Sequence, residues 1–133
     1  LGKSVVFIGY RTDLPEVYRA LDLKVILAPG NDGTCRAALE AMASSVPVLA
    51  AEVGALGEIV ENGRTGRLVP NNDRKALSQA LIGLLSNPEQ LSEMGIHALR
   101  AATSQFTIER QVKLIEKLYR QVLKDVHRTS NNF

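Results

Sequence analysis

Four short apolar runs, separated by stretches with helical spacing, leave this chain few architectures. Val5 to Ile8, Lys24 to Ala28, Val46 to Ala50 and Arg67 to Val69 are too short for helices of ordinary length and are rich in β-branched and apolar residues. The runs at 5–8 and 24–28 are continuous rather than alternating, which predicts strands buried on both faces. Helix signals lie around them. Asp13-Leu14-Pro15 opens a short helix with Asp13 as its cap, and Leu39 and Met42 belong to a second helical pattern. Asn71-Asn72-Asp73 caps a third, carrying Leu77, Leu81, Leu84 and Leu85, and Asn87-Pro88 starts a fourth at about Pro88. Such alternation predicts an α/β fold of three layers, a parallel sheet covered by helices on both sides.

At 133 residues the chain is expected to form one domain that buries roughly two-thirds of its unfolded surface. With 45% hydrophobic and 23% charged residues, disorder is expected only at the ends. The single cysteine excludes an internal disulfide, and a net charge of +2 argues for no particular partner. Leu1-Gly2-Lys3 does not begin a signal peptide, and no apolar run is long enough to span a membrane. The missing initiator Met, with a strand predicted by residue 4, suggests a piece of a longer protein. His97 and His127 have no metal-ligand spacing with other His or Cys residues, so no metal is expected. No nucleic-acid-binding aromatic platform can be assembled, and the clustered acids and late lysine of a phospho-acceptor receiver domain are absent.

The segment from Lys24 to Ala50 concentrates the chemistry. An apolar strand ends at Pro29, Gly30-Asn31-Asp32-Gly33 supplies turn residues, and a helix follows. A helix opening there aims the free N–H groups of residues about 33 to 36 at the space above the strand end, where its dipole favours an anion such as a diphosphate. Asp32 and Glu40 stand eight residues apart, with Glu40 two turns along the helix. Each has a plainer role: Asp32 as an Asx-turn or cap residue before Gly33, Glu40 as a solvated acid near a helix start. Cys35 is more simply a small inert hydrophobe than a reactive thiol.

This stretch resembles the donor-binding, C-terminal half of the retaining GT-B glycosyltransferases of the group 1 family. In that family Glu, seven residues and Glu lead into Ala-Met-Ala, a small residue, Gly, a variable residue and Pro-Val, then a Gly-Gly turn and Glu-Ile-Val. The corresponding residues are Asp32 to Glu40, Ala41 to Val48, Gly54-Ala55 and Glu58-Ile59-Val60. The family's Asn-Gly-x-Thr-Gly-x-Leu-Val-Pro is present as Asn62 to Pro70, and Val6-Phe7-Ile8-Gly9 and Asp13-Leu14-Pro15 through Tyr18 also fit. The resemblance covers roughly residues 4 to 107. It implies a Rossmann-like domain, truncated on its N-terminal side, from an enzyme that transfers a hexose from a nucleotide sugar, UDP- or GDP-linked, to an acceptor.

The resemblance makes Asp32 and Glu40 the catalytic pair: Glu40 accepting the ribose hydroxyls, Asp32 contacting the sugar. It makes Asn31, Gly33, Thr34, Cys35, Glu40, Gly54 and Ala55 the donor-binding set, with no metal and no cofactor beyond the donor. Three departures stand out: Asp32 replaces Glu, Gly33-Thr34-Cys35 replaces Gly-Phe-Gly, and Ala55 replaces the second glycine. Thr34 and Ala55 put side-chain atoms where sugar or phosphate approaches the backbone. An alternative is therefore a catalytically inactive nucleotide-binding or interaction module on the same scaffold. The family's basic pair and its acceptor-binding half fall outside this sequence, so the isolated chain is expected to be inactive.

Topology adds a consequence. The run at 5–8 matches the family's third strand, whose central neighbours are missing, so it is expected either to pair with the run at 24–28 or to leave an edge for self-association. A last helix, from about Ile108 to His127, has Arg110, Lys113, Lys117, Arg120 and Lys124 opposite a seam of Ile108, Val112, Ile115, Tyr119, Val122 and Val126. It reads as a separate helix of the same domain over 108–128, with 129–133 a mobile tail. Its basic stripe is a solvated face, or a contact for anionic lipid at the inner face of a membrane in an otherwise cytoplasmic protein.

Overall fold

The computed structural model describes residues 4–28 and 31–130, with side chains throughout these except at 32 and 125–130. The elements run α1 (Leu14–Arg19), β1 (Lys24–Ile26), α2 (Asp32–Ala43), β2 (Val48–Ala51), α3 (Leu56–Ile59), β3 (Gly66–Val69), α4 (Arg74–Leu85), α5 (Pro88–Gln105) and α6 (Ile108–Ser130). The strands form a parallel sheet in the order β1-β2-β3, with Val25 opposite Leu49 and Leu49 opposite Arg67. The predicted α/β architecture is present.

The central strand explains the layering. All four residues of β2 are buried; Val48 and Ala50 join the cluster containing Ala38, Ala41 and Met42 of α2, whereas Leu49 joins Val69, Leu84, Leu91 and Met94 on the other face. Helix α5 contributes to both clusters, Leu91 and Met94 to one and Ala98 and Ala101 to the other. Two close approaches fix this packing. A Cβ on Gly66 would lie 2.0 Å from the carbonyl oxygen of Val48, and one on Gly95 would lie 2.3 Å from that of Ser45. Asp73 caps α4 by accepting from the amides of Lys75 and Ala76, and Asn87 caps α5 by accepting from Gln90, as the sequence predicts.

Helix α2 ends in a Schellman turn: the Val46 amide donates to the Ala41 carbonyl and the Ser45 amide to that of Met42. Ser45 takes φ of 63°, at the position where the family pattern has glycine. The turn passes the chain into β2.

Several expectations fail. Residues 5–8 form no strand and do not pair with β1; Val5, Val6, Phe7 and Ile8 are exposed, Phe7 by 95%. Strand formation needs a neighbour to take up alternate N–H and C=O groups, and among the described residues no strand pairs with this segment. For the same reason β1 is an edge strand with Val25 exposed rather than a strand buried on two faces. Asp13 occupies the backbone cap position of α1, but its carboxylate accepts from Arg11 Nε and Nη2 and makes no cap bond. Those hydrogen bonds hold the Asp13 carboxyl below its ordinary range.

Helix α6 continues to Ser130, so residues 129 and 130 are helical, not tail; 131–133 lie outside the described residues. Every described side chain from 108 to 124 is exposed, apolar and basic alike. Among the described residues no helix is long and apolar enough to cross a membrane.

Candidate functional site

The carboxyl ends of parallel strands are where open α/β sheets receive ligands, because the following helices present their N-termini there. Here β1 leads through residues 27–31 into α2. Pro29, Gly30 and the side chain of Asp32 lie outside the described residues. Asn31, not Asp32, is the N-cap. Its side chain accepts from the Thr34 amide at 3.0 Å, and the Thr34 hydroxyl accepts from the Asn31 amide at 2.8 Å. This reciprocal capping box starts the helix at Asp32, earlier than expected.

The consequence is chemical. Of the amides expected to face a ligand, that of Thr34 is taken by the Asn31 side chain and that of Cys35 donates to the Asn31 carbonyl at 3.0 Å. The Thr34 hydroxyl is turned back into the cap. Gly33 has no left-handed φ, and a Cβ there would meet the Asn31 oxygen only at 3.4 Å, so loop geometry does not require glycine. What its lack of a side chain provides is open access to the backbone at the helix start.

The second glycine-bearing loop follows β2. Gly54 takes φ of 55°, a conformation that favours glycine, whereas Ala55 takes φ of −79° as the N-cap of α3 and fits without strain. The family's second glycine is thus not a conformational necessity in this chain. Glu58 lies exposed in the first turn of α3.

Glu40 is the best-defined polar group of the region. It stands about 12 Å along α2 from Asp32 at the helical rise of 1.5 Å per residue. Arg36 Nε donates to its Oε1 at 2.9 Å from one turn earlier on the same helix, and the Tyr18 hydroxyl donates to its Oε2 at 3.2 Å from α1. Tyr18 is buried, and its ring lies 5.6 Å beneath Lys24 Nζ. Burial first, then the Glu40 charge and hydrogen bond, push the Tyr18 phenol above its ordinary value. Glu40 is therefore a partly buried carboxylate held at both oxygens, not a freely solvated acid. Neither Arg36 nor the Tyr18 bond was evident in the sequence: Arg36 carries only an i,i+4 signal, and Tyr18 is 22 residues away.

A separate cleft of about 480 Å³ lies at the strand ends beside the start of α4, walled by Leu27, Ala51, Val69 and residues 70–74 and 77. Glu40 is not on its wall.

The parallel three-stranded sheet with flanking helices matches the α/β fold of GT-B glycosyltransferase structures. The family profile described as "Glycosyl transferases group 1" matches residues 1–87. The lipopolysaccharide core biosynthesis mannosyltransferase LpsB of Rhizobium meliloti is 34% identical over 127 residues, covering 93% of this chain and 36% of that protein. Among solved structures, sucrose-phosphate synthase from Thermosynechococcus elongatus superposes with a TM-score of 0.78 at 31% identity, covering 94% of this chain and 32% of that one. Anabaena HepE in complex with UDP superposes with a TM-score of 0.77 at 28% identity, covering 90% and 33%. The chain belongs to the group 1 glycosyl transferase family. It spans between about a fifth and just over a third of the length of the curated relatives it matches.

Proposed function

We propose that this chain is the nucleotide-sugar-binding part of a retaining glycosyltransferase that moves a hexose from a nucleoside-diphosphate donor to an acceptor. The observation that carries this reading is Glu40, a carboxylate fixed at both oxygens on the helix that follows a parallel strand. Two vicinal ribose hydroxyls suit such an acceptor, since a carboxylate offers about four lone-pair sites and, among the described residues, Tyr18 and Arg36 use two of them. The separation of about 12 Å between positions 32 and 40 lets Glu40 serve the ribose and Asp32 the hexose of one extended donor, with the diphosphate between them. The Gly33 backbone and the Gly54 loop are the proposed diphosphate contacts. The likeness to HepE, whose structures include complexes with UDP and with UDP-glucose, supports a uridine nucleotide as the first ligand to test.

Catalysis in the whole enzyme would then rest on orientation and on stabilising the departing diphosphate. Calorimetric titration of the chain with UDP, GDP and ADP tests the binding step. Saturable binding of one nucleotide, weakened about tenfold or more by Glu40→Gln, is expected from loss of a charge-assisted hydrogen bond. No binding of any of the three, or equal binding by the variant, would contradict the assignment.

A further inference from the structure

We propose that Tyr18 is a positioning residue for ribose recognition, its hydroxyl fixing the plane of the Glu40 carboxylate. This role rests on the proposed ribose contact of Glu40. The two partners of that carboxylate differ in kind. Arg36 is 81% exposed in its side chain and sits on the same helix, so a ligand can replace its bond to Oε1 at little cost. Tyr18 belongs to a different helix, is 7% exposed and packs in the core cluster with Ala38, Ala41 and Met42. Its hydroxyl approaches Oε2 from a fixed direction at 3.2 Å. Oε2 keeps a second lone pair for a sugar hydroxyl while Tyr18 occupies the first.

A bidentate acceptor discriminates a diol better when its plane is set before binding, because a freely rotating carboxylate loses part of each contact to ordering. Tyr18 removes that freedom. The Lys24 ammonium over the ring keeps the aromatic face occupied and is compatible with this placement.

Tyr18→Phe retains the ring, so it removes the bond without opening a core cavity. The probes are UDP and its 2′-deoxyribose counterpart, titrated into the chain and into Tyr18→Phe, Glu40→Gln and the double variant. The chain should prefer the ribose form, and Glu40→Gln should erase that preference. Tyr18→Phe should cut it by about threefold to tenfold, weakening UDP more than the deoxy form, which keeps only the 3′-hydroxyl contact to Glu40. The double variant should match Glu40→Gln alone. A Tyr18→Phe variant that keeps the full preference while Glu40→Gln loses it overturns the positioning role and leaves the ribose assignment standing. So does an equal weakening of both ligands, which is the mark of a merely structural tyrosine. A preference that survives Glu40→Gln, or none in the parent chain, overturns the ribose assignment and the role of Tyr18 with it.

Discussion

Helices α2 and α6 are both amphipathic, yet they meet opposite fates. Along α2, Ala38, Ala41 and Met42 are fully buried against α5 and β2, and the polar side presents Arg36 and Glu40. Along α6 the apolar seam is repeated at spacings of three and four, but Ile108, Val112, Ile115, Tyr119 and Val122 are all exposed. The seam's last member, Val126, lies outside the described side chains. An amphipathic pattern therefore specifies that a face needs covering; it does not specify what covers it. The segment at 5–8 teaches the same lesson in extended form.

Breaking the buried side should have the largest effect. Met42→Ala or Leu49→Ala is expected to cost about 2 to 5 kcal/mol, read as a lower urea midpoint, because both side chains are fully enclosed and their loss leaves a cavity. A smaller gain is expected where α2 ends. Ser45→Gly should stabilise by about 0.5 to 1 kcal/mol, since the left-handed penalty of a non-glycine residue exceeds the entropy glycine adds to the unfolded chain. On the uncovered side, Leu118→Ser in α6 should change stability by no more than about 0.5 kcal/mol in either direction. A loss comparable to that of Met42→Ala would mean that α6 is packed in solution and would end the contrast.

The most delicate probe is the phenol of Tyr18. Glu40→Gln should lower its titration midpoint, followed by ultraviolet absorbance, without returning it to that of a free tyrosine, because burial is the larger cause of the rise. The folded-state value lies above the unfolded one, so the phenol's share of stability is intact below about pH 10 and is lost as pH rises through the folded midpoint. An unchanged midpoint in the variant would mean that Tyr18 and Glu40 are not in contact in solution.

Local signals were legible in the sequence. Asp73, Asn87 and Pro88 mark helix starts by chemistry confined to a few residues, and the apolar run containing β2 is short and continuous because both its faces are covered. Non-local dependence was not legible. Residues 5–8 have strand composition but, among the described residues, no pairing strand, so propensity alone does not extend the sheet. At the candidate site the spacing from position 32 to Glu40 was readable. Asn31 and Asp32 are both good capping types, so residue type alone does not choose Asn31 as the cap. The Asn31-x-x-Thr34 spacing of a capping box was the available signal. Ser45 also carried a signal, since a helix end that matches a glycine position implies a left-handed residue. The Tyr18 to Glu40 bond joins α1 to α2 across 22 residues and has no signature short of the fold itself.

Backbone-amide NMR mapping of UDP binding on the isotopically labelled chain tests the central claim most directly. Shifts confined to residues 31–40 and 52–58 and to Tyr18, with α6 silent, are the predicted result. Shifts centred on α6 or on the cleft beside α4, with Glu40 and its neighbours unmoved, would contradict a donor site built on α2.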